Sequence, residues 1–385
     1  MSDNLPTVWT AEPHTLVKHA ILRKYLDAWL PILARQGAIL QQQFGASGTR
    51  EILFIDGFAG PGEYTGGEPG SPVIALDAAI GHSISFPIPV RMLFIELDEK
   101  RFQKLQTVLA PKLELAKKSK NVHAVEPRQG DCDTVLRTML DESEAKQIKF
   151  GPALAFLDQF GYGSVSMDLI RRILSFGQCE VFTYLNYKDM NRWITDDHKA
   201  EAFTRAYGGE EWREARELPE KQRRNLLLEK YKWALKNRAG AKYVVSFLMF
   251  DKNNIPLYWL LFCTNNLRGL EEMKRAMWAV DKTGEFRFSD RDDPSQLQLL
   301  EKSFSQEWLA SELSMRLVRK TLTAYDVKEY VLTETPCYLF KSALATLENE
   351  DRIKIGNPPS GRIAGSFKDE NLREITIRFE QSLFH

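Results

Sequence analysis

Apolar residues along this chain gather into short runs that end on an acid or a glycine. Glu51 to Asp56 carries four large apolar residues closed by an acid, and it reads as a buried strand. It runs into Gly57, Gly60 and Gly62, where backbone can approach a ligand that any Cβ would hinder. Val90 to Ile95, closing on Glu96-Leu97-Asp98, and Ala153 to Leu157, closing on Asp158, repeat the pattern. Val122 to Glu126 is a weaker strand, followed by Gln129-Gly130-Asp131-Cys132, and Glu180 to Leu185 is another. Tyr243 to Phe250 and Leu257 to Thr264, joined by Asp251 to Pro256, predict an antiparallel hairpin.

Helical spacing fills the intervals. Residues 14–37 repeat Leu16, Val17, Ala20, Ile21, Tyr25, Leu26, Trp29 and Leu33 on one face, with Pro31 expected to kink or split the helix. This helix is expected to pack on the sheet, with Lys18 or His19 at the rim of a site as the functional alternative. Gln41 to Gly48 reads as a polar linker. A helix should begin at Ser71-Pro72, with Ser71 as N-cap and proline in the first turn. Residues 99–109, 72–80 and 270–280 are further helices, and 196–240 is a polar, helical, locally basic insertion with Trp212, Tyr231 and Trp233 interleaved. That insertion reads as a solvated face or as a surface for a nucleic-acid backbone.

From about residue 286 the pattern changes. Leu297 to Leu322 is helical, Ala324 to Leu332 and Tyr338 to Glu348 form a helix pair, and Arg352 to Ile355 is a strand. A Gly/Pro turn then returns into Ser366-Phe367. Helix, turn, helix and a two-stranded wing is winged-helix order. The chain therefore divides into an N-terminal helical segment (1–48), an α/β domain (49–285) and a winged-helix-like domain (286–385).

Composition narrows the function little. The 385 residues are 43% hydrophobic and 27% charged, with 52 basic and 52 acidic side chains. That balance argues against a strong non-specific DNA coat but permits a local basic groove. The four cysteines stand singly, without the pairs that suggest zinc or an iron–sulfur cluster, and no metal is expected. No stretch reaches the roughly 18 apolar residues of a membrane span. The first residues lack a signal-peptide pattern, so the expected location is cytoplasmic.

A glycine turn behind a first strand, with an acid at the tip of a second, is how doubly wound folds hold a nucleoside. Glu96 is the ribose candidate and Asp98 its alternative, which also suits a helix cap. Asp131 suits an adenine edge or a cap. Asp158, bracketed by Phe160, Tyr162 and glycines on an exposed turn, is a mixture that packing alone does not require.

FIDGFAGPG, FIELD, QGD and FLDQFGYG resemble successive motifs of class I S-adenosylmethionine-dependent methyltransferases. HTLVKHAILRKYL, DGFAGPGEY, the GSP of residues 70–72, DQFGYG and KSALATLENEDRIKI are similar to the three-Cys-motif partner proteins (TcmP), over nearly the whole chain. The resemblance implies a Rossmann-like class I methyltransferase sheet with S-adenosylmethionine as cofactor. Gly57, Phe58, Ala59, Gly60 and Gly62 would cradle its methionine end, Asp56 would face its ammonium, Glu96 the ribose and Asp131 the adenine. Asp158 would orient an acceptor, with Phe160 or Tyr162 stacking on it. The expected reaction is methyl transfer to a nitrogen of a nucleic-acid base. Base-amino methyltransferases carry Asp/Asn-Pro-Pro-Tyr/Phe at this turn; here it reads Asp158-Gln159-Phe160-Gly161. The rival is a recognition subunit that delivers nucleic acid to a separate enzyme. In the resembled family the named cysteines belong to such a partner, a radical-SAM-like protein.

Overall fold

A computed structural model describes residues 6–44, 51–146, 151–159, 161–281, 286–289 and 304–380. The chain forms two compact units, residues 1–276 with 287–294 and residues 277–286 with 295–385.

The first unit opens with α1 (Pro13–Phe44), which runs unbroken through Pro31 and beyond the helix expected from the sequence. Its buried face is Ile21, Leu22, Tyr25, Leu26, Trp29, Leu30, Leu33 and Ala34, a stripe of adjacent pairs every four residues that fits one helical face. Leu16, expected on that face, is exposed. Four strand–helix units follow: β1 (Ile52–Asp56), α2 (Ser71–Ile80), β2 (Val90–Glu96), α3 (Glu99–Ala116), β3 (Val122–Gln129), α4 (Cys132–Ala145), β4 (Ala153–Leu157), α5 (Met167–Ser175) and β5 (Cys179–Leu185). Next come α6 (Tyr187–Trp193), α7 (Ala200–Tyr207), α8 (Glu220–Asn237), β6 (Tyr243–Phe250), β7 (Pro256–Thr264), α9 (Leu267–Trp278) and the short β8 (Arg287–Ser289).

The sheet order is β3-β2-β1-β4-β5-β7-β6-β8. β1 to β5 are parallel, and β7 is antiparallel to both β5 and β6. This is an α/β fold with a mainly parallel central sheet. β1, β4 and β7 are buried along their whole length, as strands covered on both faces must be, whereas β6 alternates. The strand order reverses between β1 and β4. There the connections leave in opposite directions, and a crevice opens at the strands' carboxyl ends.

The insertion between β5 and β6 differs from a stacking surface. Trp212 and Tyr231 are core residues, Trp212 lying against Phe203 at 4.5 Å, and only Trp233 of the three aromatics is exposed, beneath Arg238. Arg223, Lys230 and Arg238 are bonded to neighbouring groups of the same insertion and of α6.

The second unit contains α10 (Gln306–Arg316), β9 (Thr321–Thr323), α11 (Ala324–Glu334), α12 (Phe340–Asn349), β10 (Ile353–Gly356) and β11 (Thr376–Phe379). Its three-stranded antiparallel sheet has the order β10-β11-β9 around a core that includes Leu313, Val327, Leu344 and Ile377. The returning strand lies at Thr376–Phe379, not at Ser366-Phe367, and β9 supplies a third strand that the sequence reading lacked. Among the described residues, no helix is long and apolar enough to cross a membrane.

Candidate functional site

Asp56 ends β1 at the crevice and is wholly buried. Its Oδ1 accepts a hydrogen bond from the Phe58 N–H at 3.1 Å, and the Ser71 hydroxyl also bonds the carboxylate. Oδ2 has no partner. Burial pushes the carboxyl up to about 7, with the charge of Asp158 adding to it, against the bonds from Ser71 and Phe58 and the charge of Lys18. Ser71 is therefore not the N-cap: Gly70 holds that position without a side-chain bond, and Ser71 in the first turn turns its hydroxyl to Asp56. The Gly70 N–H donates to the Gly62 carbonyl at 2.8 Å, closing the 62–70 excursion into a clasp beside the turn.

The glycines of the turn differ in purpose. A Cβ on Gly57 would lie 2.5 Å from Cys132 Sγ, so its absence serves packing between β1 and α4. Gly62 is confined by Leu105 and Val108 of α3. Gly60 has φ +61, and a Cβ there would meet only Trp9, at 3.7 Å. Gly60 is thus required by the backbone conformation, and its face lies open to the cleft.

Glu96, at the tip of β2, braces this turn. Oε2 accepts from the Gly60 N–H at 2.9 Å, and Oε1 accepts from the Asp98 N–H at 2.8 Å and Arg101 Nε at 3.1 Å. Asp98 caps α3 through the Arg101 N–H, and Asp131, which is exposed, caps α4 through the Thr134 N–H at 2.9 Å. Both caps are local uses of a carboxylate that the sequence reading held open beside the nucleoside ones.

α1 closes the other side. A small cleft is lined by Trp9, Lys18, His19, Gly60, Tyr64 and Asp158, among others. Lys18 forms an ion pair with Asp158, both largely withdrawn from solvent, and lies 5.9 Å from the Tyr258 ring. His19 is held neutral, its imidazolium pushed down to about 3 by burial and by the charge of Lys18. Its Nδ1 has no hydrogen-bond partner, and its ring lies 5.6 Å from that of Tyr64. Tyr184 and Tyr258 pack at 4.4 Å beside the ion pair, and burial, with the charges of Asp158 and Asp189 adding to it, raises the Tyr184 hydroxyl far above its ordinary range.

The turn after β4 is held by Gln159, which accepts from the Val165 N–H at 3.0 Å and donates to the Tyr184 carbonyl at 3.3 Å. Tyr162 turns away from this turn's acid and packs on Phe203 at 4.6 Å, its hydroxyl buried without a partner. Phe160 lies outside the described residues. The structure thus gathers Phe58, Ala59, Gly60, Gly62 and Asp158 around one cleft, with Asp56 behind Ser71 and Phe58, and Glu96 behind Gly60. Asp98, Asp131 and Tyr162 serve caps or core. Tyr184 and Tyr258, whose positions in apolar strands carry no sequence signal, lie beside the Lys18–Asp158 pair, and Lys18 and His19 were expected there only as an alternative.

No family model matches this chain, and no curated protein does. Solved structures overlap it loosely. An O-methyltransferase from Bacillus cereus in complex with SAH is 14% identical over 60% of this chain and 81% of its own, with a TM-score of 0.30. The precorrin-6y C5,15-methyltransferase from Geobacter metallireducens is 9% identical over 68% of this chain and 100% of its own, at 0.29. TYW2 of M. jannaschii in complex with AdoMet is 11% identical over 59% and 75%, at 0.26. At such scores the overlaps carry no weight beside the strand order and the residues at the strand tips.

Proposed function

We propose that this chain is a class I S-adenosylmethionine-dependent methyltransferase that modifies a nitrogen of a nucleic-acid base. The observation that carries the reading is the orphaned Asp56 Oδ2. It is a buried acceptor at the switch point of a β3-β2-β1-β4-β5-β7-β6 sheet, beside a glycine turn with an open face. Left unpaired, such an atom is costly, and an ammonium group satisfies it. The residues present fit the amino-acid end of that cofactor, with Phe58, Ala59 and Gly60 forming the adjoining wall.

Glu96 would hold the ribose, with Asp98, already the cap of α3, as the alternative. A carboxylate offers roughly four acceptor positions, and Glu96 already uses three of them on Gly60, Asp98 and Arg101. Asp131 would meet the adenine edge while capping α4. When bound, the cofactor supplies a methyl group already activated on a sulfonium, so the protein's task is alignment of the acceptor. Asp158 would accept a hydrogen bond from the acceptor's N–H. Lys18 holds that carboxylate in the free protein and would yield it, or share it, as the acceptor enters. Tyr184 and Tyr258, tilted 42° to one another beside the ion pair, would offer an aromatic edge to an entering base; Phe160 keeps the stacking role expected of it, and Tyr162 gives it up.

In the second unit, the order helix, strand, helix, helix, strand, strand supports a winged helix that would contact nucleic acid or protein. One observation favours the rival reading, a recognition subunit of a radical-SAM-like three-Cys-motif protein: Lys18 occupies the carboxylate an acceptor needs. Isothermal titration with S-adenosylmethionine, followed by methyl incorporation into RNA and DNA, decides between them. Binding with turnover supports the enzyme, whereas no cofactor affinity together with a stable complex with the partner supports the subunit.

A further inference from the structure

We propose that His19, on α1, recognises the carboxylate of the cofactor's amino-acid end, donating through Nδ1 while Asp56 takes the ammonium. The ligand class is an α-amino-acid zwitterion attached to a nucleoside, and this assignment rests on the methyltransferase reading for the ligand's identity.

Two buried polar atoms here make no hydrogen bond: His19 Nδ1 belongs to a residue that lines the cleft, and Asp56 Oδ2 lies behind Ser71 and Phe58, which line it. Asp56 Oδ2, at the end of β1, can only accept when ionised; His19 Nδ1, on α1, donates in one of the two neutral tautomers. Ser71, which bonds Asp56, and His19 line the same space, together with Thr15, Lys18 and Gly60. A zwitterion offers both complements at once, a donor for Asp56 and an acceptor for His19. A histidine serving only the core would be expected to have both nitrogens paired or turned to solvent, and His19 is 5% exposed. Lys18, the neighbouring residue, is committed to Asp158, so its charge favours a carboxylate nearby without replacing the imidazole.

The helix is also fixed from below. Tyr25 stands two helical turns beyond Lys18 and bonds the buried Glu180, which sets the axial position of α1 and hence of His19.

The test compares two ligands on the full chain by isothermal titration: S-adenosylhomocysteine, and methylthioadenosine, which lacks the amino-acid end. His19→Ala should weaken S-adenosylhomocysteine about tenfold or more and change methylthioadenosine by less than about twofold. His19→Asn, whose amide nitrogen reaches the Nδ1 position, should recover part of the loss, and circular dichroism checks that both variants fold. Equal loss for both ligands, or no loss for either, overturns the assignment while leaving the cofactor reading standing. If wild-type protein binds neither ligand, the cofactor reading itself falls and takes this assignment with it.

Discussion

Two carboxylates lie deep inside the first unit, and their surroundings treat them oppositely. Glu180 sits near the start of β5, away from the crevice. It accepts from the Tyr25 hydroxyl of α1 and from Thr264 Oγ1 of β7 at 2.7 Å. α9 approaches so closely that a Cβ on Gly269 would fall 2.1 Å from its Oε1. Asp56 sits at the far end of β1 with one oxygen unpaired. Burial raises both carboxyls. The difference lies in the partners: one acid joins α1, β5 and β7, and the other is left one donor short. Burial of an acid therefore does not mark a site. An unpaired buried oxygen beside a cleft narrows the choice further.

The largest effect should come from breaking the completed set. Glu180→Ala leaves the Tyr25 hydroxyl without its acceptor and Thr264 Oγ1 with only a long bond to the Asn266 carbonyl at 3.4 Å, and should lower unfolding free energy by about 3 kcal/mol or more. Chemical denaturation measures it. A loss below about 1 kcal/mol would mean that this cluster does not hold α1 to the sheet in solution.

Asp158→Ala comes next and probes the acceptor side of the cleft. Turnover should fall roughly a hundredfold or more while cofactor affinity stays within a few-fold, as for a group that positions the acceptor. Lys18 would be left without its carboxylate, so melting temperature is read on the same sample. Full turnover with a lowered melting point would leave Asp158 a merely structural partner of Lys18.

How far the sequence announced this contrast depends on the residue. β1, β2 and β4 were legible because each is an apolar run closed by an acid, and Asp56, Glu96 and Asp158 were legible as those closing acids. The partners were not. Tyr25 looked like one more apolar position of an amphipathic helix, and Glu180 like the polar first residue of a strand. Nothing in a linear pattern tells that β7 will bring Thr264 to both. Ser71 was read as a cap because serine before Pro72 usually is one. The tertiary bond to Asp56 moved that role to Gly70. Trp212 and Tyr231 were ambiguous for a similar reason: basic residues interleaved with aromatics give the same pattern whether the rings face solvent or core.

Asp56→Asn sharpens the comparison from the other side. Cofactor affinity should drop by about 1.5–3 kcal/mol, the range for a charged hydrogen bond, without loss of stability at neutral pH. The sign of the pH dependence follows from the raised carboxyl. Between about 4 and 7 the folded protein retains a proton that the unfolded chain has released, so this group makes stability fall as pH rises, by at most about 1.4 kcal/mol per unit. Asp158, Lys18, Tyr64 and Cys132 share its electrostatic neighbourhood, so the readout is the difference between wild type and variant. That difference should vanish below pH 4 and favour Asp56→Asn near pH 7. Parallel curves across that window would place the ionisation of Asp56 in its ordinary range.

The smallest effect belongs to a third kind of acid, one that is exposed and already used. Asp131 Oδ1 accepts from both the N–H and the hydroxyl of Thr134, so Asp131→Ala removes the N-cap of α4 and should cost about 1 kcal/mol. Asparagine caps as well as aspartate, so Asp131→Asn should restore that stability. The two variants separate the cap from the proposed contact with the adenine. A cap acting alone gives a stability loss in alanine, recovery in asparagine and unchanged cofactor affinity in both. A contact with the exocyclic amine adds a loss of affinity in alanine that survives when the melting temperature is restored by other means, for example by osmolyte. Titration of S-adenosylmethionine into both variants reads that second quantity directly. If affinity follows stability and nothing else, Asp131 belongs with Asp98 among the caps, and the adenine must find its partner among other groups at the tips of β2 and β3.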